Sequence, residues 1–145
     1  MDCRELKLGG MVHRHLCRVL YGDTDAGGVV YYANYLRFCE AGRTELMREH
    51  VHSYRALEEL GYILPVVDCR VRYKASARYD DLLMVESSLV ELKPVSCRFH
   101  YRISAEDGGT LALAYTLHAS VDRSGKLTRL PRETLDALGS LLDSE

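Results

Sequence analysis

The feature that most constrains the fold of this chain is a change in hydrophobic period along its length. Residues 32–50 repeat apolar side chains every three to four positions, which is the period of a helix that packs on one face. From residue 67 onward apolar and polar side chains alternate, which predicts four strands over residues 67–73, 82–92, 95–103 and 111–121. One long helix followed by a run of strands indicates a domain that mixes α and β structure.

Further elements surround this pattern. Alternation over residues 12–21 predicts a first strand, and residues 53–61 predict a short helix that Ser53 caps and Gly61 ends. A last short helix begins at Pro131, since proline suits the first turn of a helix. Short links, including residues 78–81 between the second and third strands, favour antiparallel neighbours. The prediction is therefore an α+β fold in which an antiparallel sheet of about five strands wraps around one long helix.

Two details of this prediction can be tested directly. Gly42 lies in the middle of the long helix, where glycine costs about 1 kcal/mol relative to alanine, so we expect the helix to approach the sheet closely there. One helix covers only part of a five-stranded sheet, and apolar side chains occur on both faces of the strands. A second copy of the chain is therefore expected to supply the missing cover.

Composition limits the class of protein further. A chain of 145 residues, 47% of them hydrophobic, fits a single domain over residues 1–145, and a formal net charge of −2 gives no field for nucleic acid or an anionic membrane. No apolar leader opens the sequence and no stretch is long enough to span a bilayer, so no secretion signal or anchor is expected. An odd number of cysteines without a C-x-x-C pair indicates buried thiols and a cytoplasmic protein. These cysteines are Cys3, Cys17, Cys39, Cys69 and Cys97.

The stretch "YGDTDAGGVVYYANYLRF", residues 21–38, places two acids and two glycines directly between the first strand and the long helix. Asp23 is expected to shape this loop through side-chain to backbone hydrogen bonds. Asp25 has two interpretations. It is an ordinary turn residue, or it is a reactive carboxylate in front of a helix N-terminus, where backbone N–H groups favour negative charge.

The longer stretch "YGDTDAGGVVYYANYLRFCEAGRTELMRE" and the later "LPVVDCRVRYKASARYDDLLMVESSLVEL" resemble the 4-hydroxybenzoyl-CoA thioesterase family of hotdog-fold proteins, and within it the YbgC-like acyl-CoA thioesterases. The resemblance extends from about residue 14 to residue 138. It implies a hotdog fold, a homodimer with continuous sheets and active sites at the dimer interface, and assembly of dimers into a homotetramer. It also implies hydrolysis of an acyl-CoA, or acyl carrier protein, thioester with no cofactor and no metal.

The resemblance assigns roles to individual residues. In the family pattern D-x-D-x-x-G-x-V-[YW]-[YH] the second acid is catalytic, and it corresponds to Asp25, which would act as nucleophile or general base. The backbone N–H of Tyr32 would belong to the oxyanion hole, and Gly27 and Gly28 would let the substrate approach the backbone closely. Position 32 is often His in YbgC-like members and Tyr in the 4-hydroxybenzoyl branch, so the acyl group stays open.

The same resemblance points to the loop "YKASAR", with Ser76 and Arg78 as substrate contacts near the mouth of the site. The alternative for such residues is a solvated charge or hydroxyl at the end of a strand. Two other functions of the whole protein are alternatives to hydrolysis. One is a hotdog protein that binds acyl thioesters without cleaving them, and the other is a hotdog dehydratase or hydratase, which would require a histidine beside the acid.

Other side chains offer competing chemistry. A sister branch of thioesterases places its catalytic Glu on the central helix, where this chain has Glu40 and Glu45; we expect these acids to pair with Arg43 and Arg48 instead. The pairs "HRH" at 13–15 and "HVH" at 50–52 bring imidazoles close together. They lack acids or cysteines at ligand spacing, so no metal site is predicted.

Overall fold

The computed structural model describes residues 6–142, and Cys3 lies outside this range. The strands are β1 (His13–Arg18), β2 (Val66–Tyr73), β3 (Leu82–Lys93), β4 (Ser96–Ser104) and β5 (Thr110–Ala119). The helices are α1 (Asn34–His50), α2 (Tyr54–Glu59) and α3 (Arg132–Gly139). The predicted α+β architecture is confirmed. The first strand is shorter than expected, and α1 begins two residues later than expected, because residues 32 and 33 form a turn.

The sheet has the order β1-β3-β4-β5-β2, and all neighbouring strands are antiparallel. The short links between β3, β4 and β5 do join neighbours, as predicted. The expectation that residues 78–81 join neighbours is wrong, since β2 pairs with β5, for example Tyr73 with Ala112. The physical reason is that residues 74–81 do not form a tight hairpin. They cross the end of the sheet and bond to the loop before α1, with the Val30 N–H donating to the Ala77 carbonyl (2.9 Å).

Helix α1 packs across the sheet with one buried face. Gly42 lies on that face, where an added Cβ would come within 2.7 Å of both Ser87 Oγ and Val85 Cγ1. The predicted close approach of helix and sheet is therefore confirmed. No side chain larger than hydrogen fits between α1 and β3 at this position without displacing a neighbour.

One residue further along, Arg43 extends from α1 into a buried chain of hydrogen bonds. Its guanidinium donates to the hydroxyls of Tyr54 and Tyr101, both at 3.0 Å. Thr116 Oγ1 lies 2.6 Å from the Tyr101 hydroxyl and 2.8 Å from His118 Nε2, and His118 Nδ1 lies 2.9 Å from the Leu64 carbonyl. A carbonyl only accepts, so His118 Nδ1 carries the proton and Nε2 accepts from Thr116. From the Tyr101 hydroxyl to the Leu64 carbonyl, each donor in this chain then has an acceptor.

The edge strand β2 is the least covered part of the sheet. Val67 and Tyr73 are 58% and 44% exposed, and Cys69 is exposed as well. The expectation that Cys69 is buried is wrong, because β2 has a neighbour on only one side and no helix within residues 6–142 packs extensively against it. Cys39 and Cys97 are buried, and Cys17 is half-buried. Among residues 6–142, no helix combines the length and the apolar character needed to cross a membrane.

Candidate active site

The loop between β1 and α1 is a compact turn. After one turn of 3-10 helix at Tyr21–Asp23, the Asp25 N–H donates to the Val29 carbonyl (2.8 Å) and the Gly28 N–H donates to the Asp25 carbonyl (3.1 Å). Gly28 has a φ of +80°, a conformation that side chains with a Cβ rarely adopt. The sequence therefore requires glycine at position 28 for the turn itself, whatever else this residue does.

Asp23 is the buried acid of this loop. Its side chain forms an ion pair with Arg37 on α1, and Oδ2 accepts from the Leu20 N–H at 2.8 Å. Its carbonyl accepts from the Tyr31 N–H and from the Asn34 side-chain amide. The expected loop-shaping role is thus what the structure shows, and the Arg37 ion pair adds a bond to α1 that the sequence did not indicate.

Asp25 differs from Asp23 in exposure and in bonding. It is exposed, and Oδ1 accepts from the Gly27 N–H at 2.8 Å, which is the bond of an ordinary Asx turn. Oδ2 has no hydrogen-bond partner within the part of the chain that the structure describes. One oxygen of Asp25 therefore orients the carboxylate, and the other is available to a bound molecule.

Asp25 lines a cleft of about 320 Å³ at the start of α1. The lining includes Asp25, Val29, Tyr32, Tyr35, Tyr73 and Ser76. Three elements thus converge on the cleft: the loop before α1, the first turn of α1 and the end of β2 with the link that follows it. Arg78 is not part of this lining; its backbone pairs with that of Val29.

The two residues directly before α1 have backbone donors without acceptors in residues 6–142, whereas the N–H groups of Asn34, Tyr35 and Leu36 donate to carbonyls of the preceding turn. Ala33 occupies the N-cap position without a capping side chain, and the first turn contains no acid. The N–H groups of Tyr32 and Ala33 donate to no other group of residues 6–142. The N-terminus of a helix with free N–H groups stabilises negative charge, and here it adjoins the cleft that the Tyr32 side chain lines.

Tyr73 is a cleft residue that the sequence did not single out. Its hydroxyl donates to the carbonyl of Tyr32 at 2.8 Å, and its ring makes edge contacts with those of Tyr32 and Tyr35 at 6.4 and 5.3 Å between centroids. The Tyr35 hydroxyl accepts from the Ala77 N–H at 3.0 Å. The alternation of β2 placed Tyr73 on the helix-facing side of the strand, but only the order of the strands shows that it reaches the start of α1.

The competing acids and histidines lie outside this cleft. Glu45 pairs with Arg48 as expected, whereas the expected pair of Glu40 with Arg43 is not formed, because Arg43 turns inward to Tyr54 and Tyr101. The described residues contain no group of three His, Cys, Asp or Glu side chains placed to hold a metal ion.

The comparisons with known proteins agree with this architecture. Residues 19–138 match the thioesterase-like superfamily. The YbgC acyl-CoA thioester hydrolase of Escherichia coli is 40% identical over 105 residues, which cover 72% of this chain and 78% of that relative. A hypothetical protein from Thermus thermophilus superposes with a TM-score of 0.86 at 30% identity over 90% of this chain and 98% of its own. A 1,4-dihydroxy-2-naphthoyl-CoA thioesterase from Synechocystis superposes with a TM-score of 0.83 at 25% identity over the same shares.

The fold and these matches define a thioester hydrolase of hotdog fold, and the predicted fold class is thereby confirmed. The chain belongs to the thioesterase-like superfamily and is a YbgC-like member of it. The resemblance described from residues 21–49 and 64–92 is confirmed at the level of the family.

Proposed function

We propose that this chain hydrolyses acyl-CoA thioesters in the cleft beside Asp25, giving a free acid and a thiol. One observation carries the proposal. An exposed carboxylate with an unoccupied oxygen shares a cleft with the start of α1, where the N–H groups of Tyr32 and Ala33 donate to nothing in residues 6–142. Thioester hydrolysis requires both parts, a base or nucleophile and donors for the developing oxyanion.

In one route Asp25 Oδ2 attacks the thioester carbonyl carbon. The C–S bond breaks, the thiolate leaves and takes up a proton, and water hydrolyses the resulting mixed anhydride to restore the carboxylate. In the other route Asp25 takes a proton from an attacking water and returns it to the leaving thiolate. In both routes the Tyr32 N–H stabilises the oxyanion, and the products are the same.

The substrate-binding part of the proposal concerns the two ends of the cleft. Gly27 and Gly28 leave space for the thioester beside the loop, since neither carries a Cβ. Ser76 lines the cleft and is assigned to substrate binding. Arg78 follows Ser76 by two positions, and its exposed cation suits a phosphate of the carrier at the mouth. Acyl carrier protein is the alternative carrier to coenzyme A.

The proposal also covers assembly and location. A homodimer formed along β2, with pairs of dimers forming a tetramer, is supported by the exposure of Val67 and Tyr73 on an edge strand. Such a dimer would bring a second chain beside the cleft, which β2 helps to line. A cytoplasmic location is supported by the free state of Cys17, Cys39, Cys69 and Cys97, because disulfides are rare in reducing compartments.

The test is thiol release from short, long and aromatic acyl-CoAs and from acyl carrier protein, comparing the wild type with Asp25→Asn. We expect the substitution to lower kcat by about 1,000-fold, since the amide can neither attack nor take a proton. Unfolding by denaturant should be unchanged, because the amide oxygen still accepts from the Gly27 N–H.

Asp107→Asn is the matched control. Asp107 forms the same kind of turn, with Oδ1 accepting from the Gly109 N–H at 2.8 Å, but it lies away from the cleft. If Asp25→Asn loses no more activity than Asp107→Asn, Asp25 is only a turn residue. If the wild type cleaves none of these thioesters but binds them, the chain is an acyl-thioester binding protein.

A further inference from the structure

The peptide group between Tyr32 and Ala33 is held on one side only. Its carbonyl accepts from the Tyr73 hydroxyl at 2.8 Å, whereas the helical N–H of Tyr35 is further away, at 3.4 Å. Its N–H, which belongs to Ala33, donates to no group in the described chain. The strongest bond to this peptide therefore comes from a side chain of β2 and not from the helix that it begins.

A trans peptide is planar, so its carbonyl and its N–H point in opposite directions. A hydrogen bond that fixes the Tyr32 carbonyl consequently fixes the direction of the Ala33 N–H. A donor bound to the carbonyl also polarises the amide, which makes its N–H a stronger donor. The Tyr73 hydroxyl thus both orients and strengthens the Ala33 N–H.

Tyr73 is itself well anchored. Its backbone pairs with Ala112 on β5, and the next two N–H groups, those of Lys74 and Ala75, donate to the Leu111 carbonyl. Its ring contacts those of Tyr32 and Tyr35. Burial is the first cause that raises the pKa of Tyr73 above its usual value, so the hydroxyl keeps its proton and remains a donor at neutral pH.

We propose that the Ala33 N–H is a second oxyanion donor beside the Tyr32 N–H, and that Tyr73 is the positioning residue that orients it. The inference rests on the proposed hydrolysis in this cleft. The N–H groups of Tyr32 and Ala33 are consecutive, lie directly before α1 and donate to nothing in residues 6–142, so one oxyanion can accept from both. The bond from β2 to the start of α1 then supports the chemistry directly.

The first test is Tyr73→Phe, which removes the hydroxyl and keeps the ring. We expect kcat to fall by about tenfold with KM within about twofold of the wild type, because the bond acts on the transition state and one neutral hydrogen bond is lost. Tyr79→Phe is the matched control. Tyr79 is 57% exposed and makes an edge contact with the ring of Tyr21, so its loss of a hydroxyl should leave both constants unchanged.

The second test separates positioning from a general structural effect. In Asp25→Asn, which should bind acyl-CoA without cleaving it, the infrared C=O stretch of the bound thioester reports on the donors that it meets. Adding Tyr73→Phe should move this band toward its frequency in water.

An unchanged band overturns the proposal, even if kcat falls, because Tyr73 then acts only on the fold. An unchanged kcat in Tyr73→Phe overturns it as well. A wild type that cleaves no thioester counts instead against the proposed function, and the infrared measurement still decides the role of Tyr73.

Discussion

Helices α1 and α2 begin in opposite ways. The Ser53 hydroxyl caps α2 by accepting from the Ala56 N–H at 3.1 Å, whereas the N-cap residue of α1, Ala33, has no capping side chain. A short helix of six residues depends on its cap. The longer α1 is held along its length, by the Asp23–Arg37 ion pair, by the contact at Gly42 and by the buried bonds of Arg43. The difference teaches that α1 can leave the N–H groups of Tyr32 and Ala33, directly before it, without acceptors in residues 6–142, because its stability comes from elsewhere.

If the buried hydrogen bonds of Arg43 hold α1, acid should lower the free energy of unfolding by more than the loss of a single helix cap does. Burial, followed by the charge of Arg43, lowers the pKa of His118 from 6.5 to about 4. As the pH falls, His118 takes up a proton in the unfolded chain before it does so in the folded one. The stability that neutral His118 contributes is therefore complete above pH 6.5 and is lost as the pH falls toward 4. The loss from this one group approaches about 3 kcal/mol.

Denaturant unfolding at pH 7 and pH 4.5 measures this loss. Carboxylates also titrate in this range, so the comparison is with His118→Gln, which cannot take up a proton. The free energy of unfolding of the variant should fall less between the two pH values, by about 2 kcal/mol. Parallel losses in the two proteins would show that His118 is protonated without cost and that the buried chain of bonds does not hold α1.

The contact at Gly42 should matter next. Gly42→Ala places a Cβ within 2.7 Å of Ser87 Oγ and Val85 Cγ1, so we expect a loss of about 2 kcal/mol in the free energy of unfolding, although alanine is the better helix former. Gly139→Ala is the matched control on α3, since its Cβ would meet only Leu92 at 3.9 Å. It should be neutral or stabilising by up to about 1 kcal/mol. Equal effects of the two substitutions would show that α1 does not depend on close packing at Gly42.

The smallest effect is expected at the cap itself. Ser53→Ala should cost about 1 kcal/mol in the free energy of unfolding and leave kcat unchanged, because α2 lies apart from the cleft. Ser53→Asp keeps an acceptor for the Ala56 N–H and serves as the control. If Ser53→Ala and Ser53→Asp unfold alike, the cap does not stabilise α2 and the contrast with α1 disappears.

Local signals in the sequence predicted much of this molecule. Ser53 and Gly61 bound α2 as expected, Gly61 with a φ of +94°, and Gly42 marks the close approach of α1. The roles of these residues could be predicted because each depends on neighbours within one or two turns of helix, or on the space that a side chain would need. The motif at residues 21–38 likewise led to Asp25 and to the start of α1, which the structure places around one cleft.

What the sequence did not reveal depends on which strands are neighbours. A short link after β2 looked like a hairpin, and nothing local indicates that β2 pairs with β5 instead of β3. The contact of Tyr73 with Tyr32 and the exposure of Cys69 both follow from that pairing. Arg43 was expected to pair with Glu40 on the same helix, but tertiary contacts with two tyrosines replace that pair.

The place of β2 in the sheet also has a consequence for the order of folding. Its partner β5 comes after β3 and β4 in the chain, so a loop that contains two whole strands must close before β2 can dock. Consecutive hairpins such as β3–β4 and β4–β5 close far shorter loops and therefore form sooner. Tyr73 reaches the start of α1 only after that last pairing, so during refolding the cleft should be completed late, after most of the secondary structure is present.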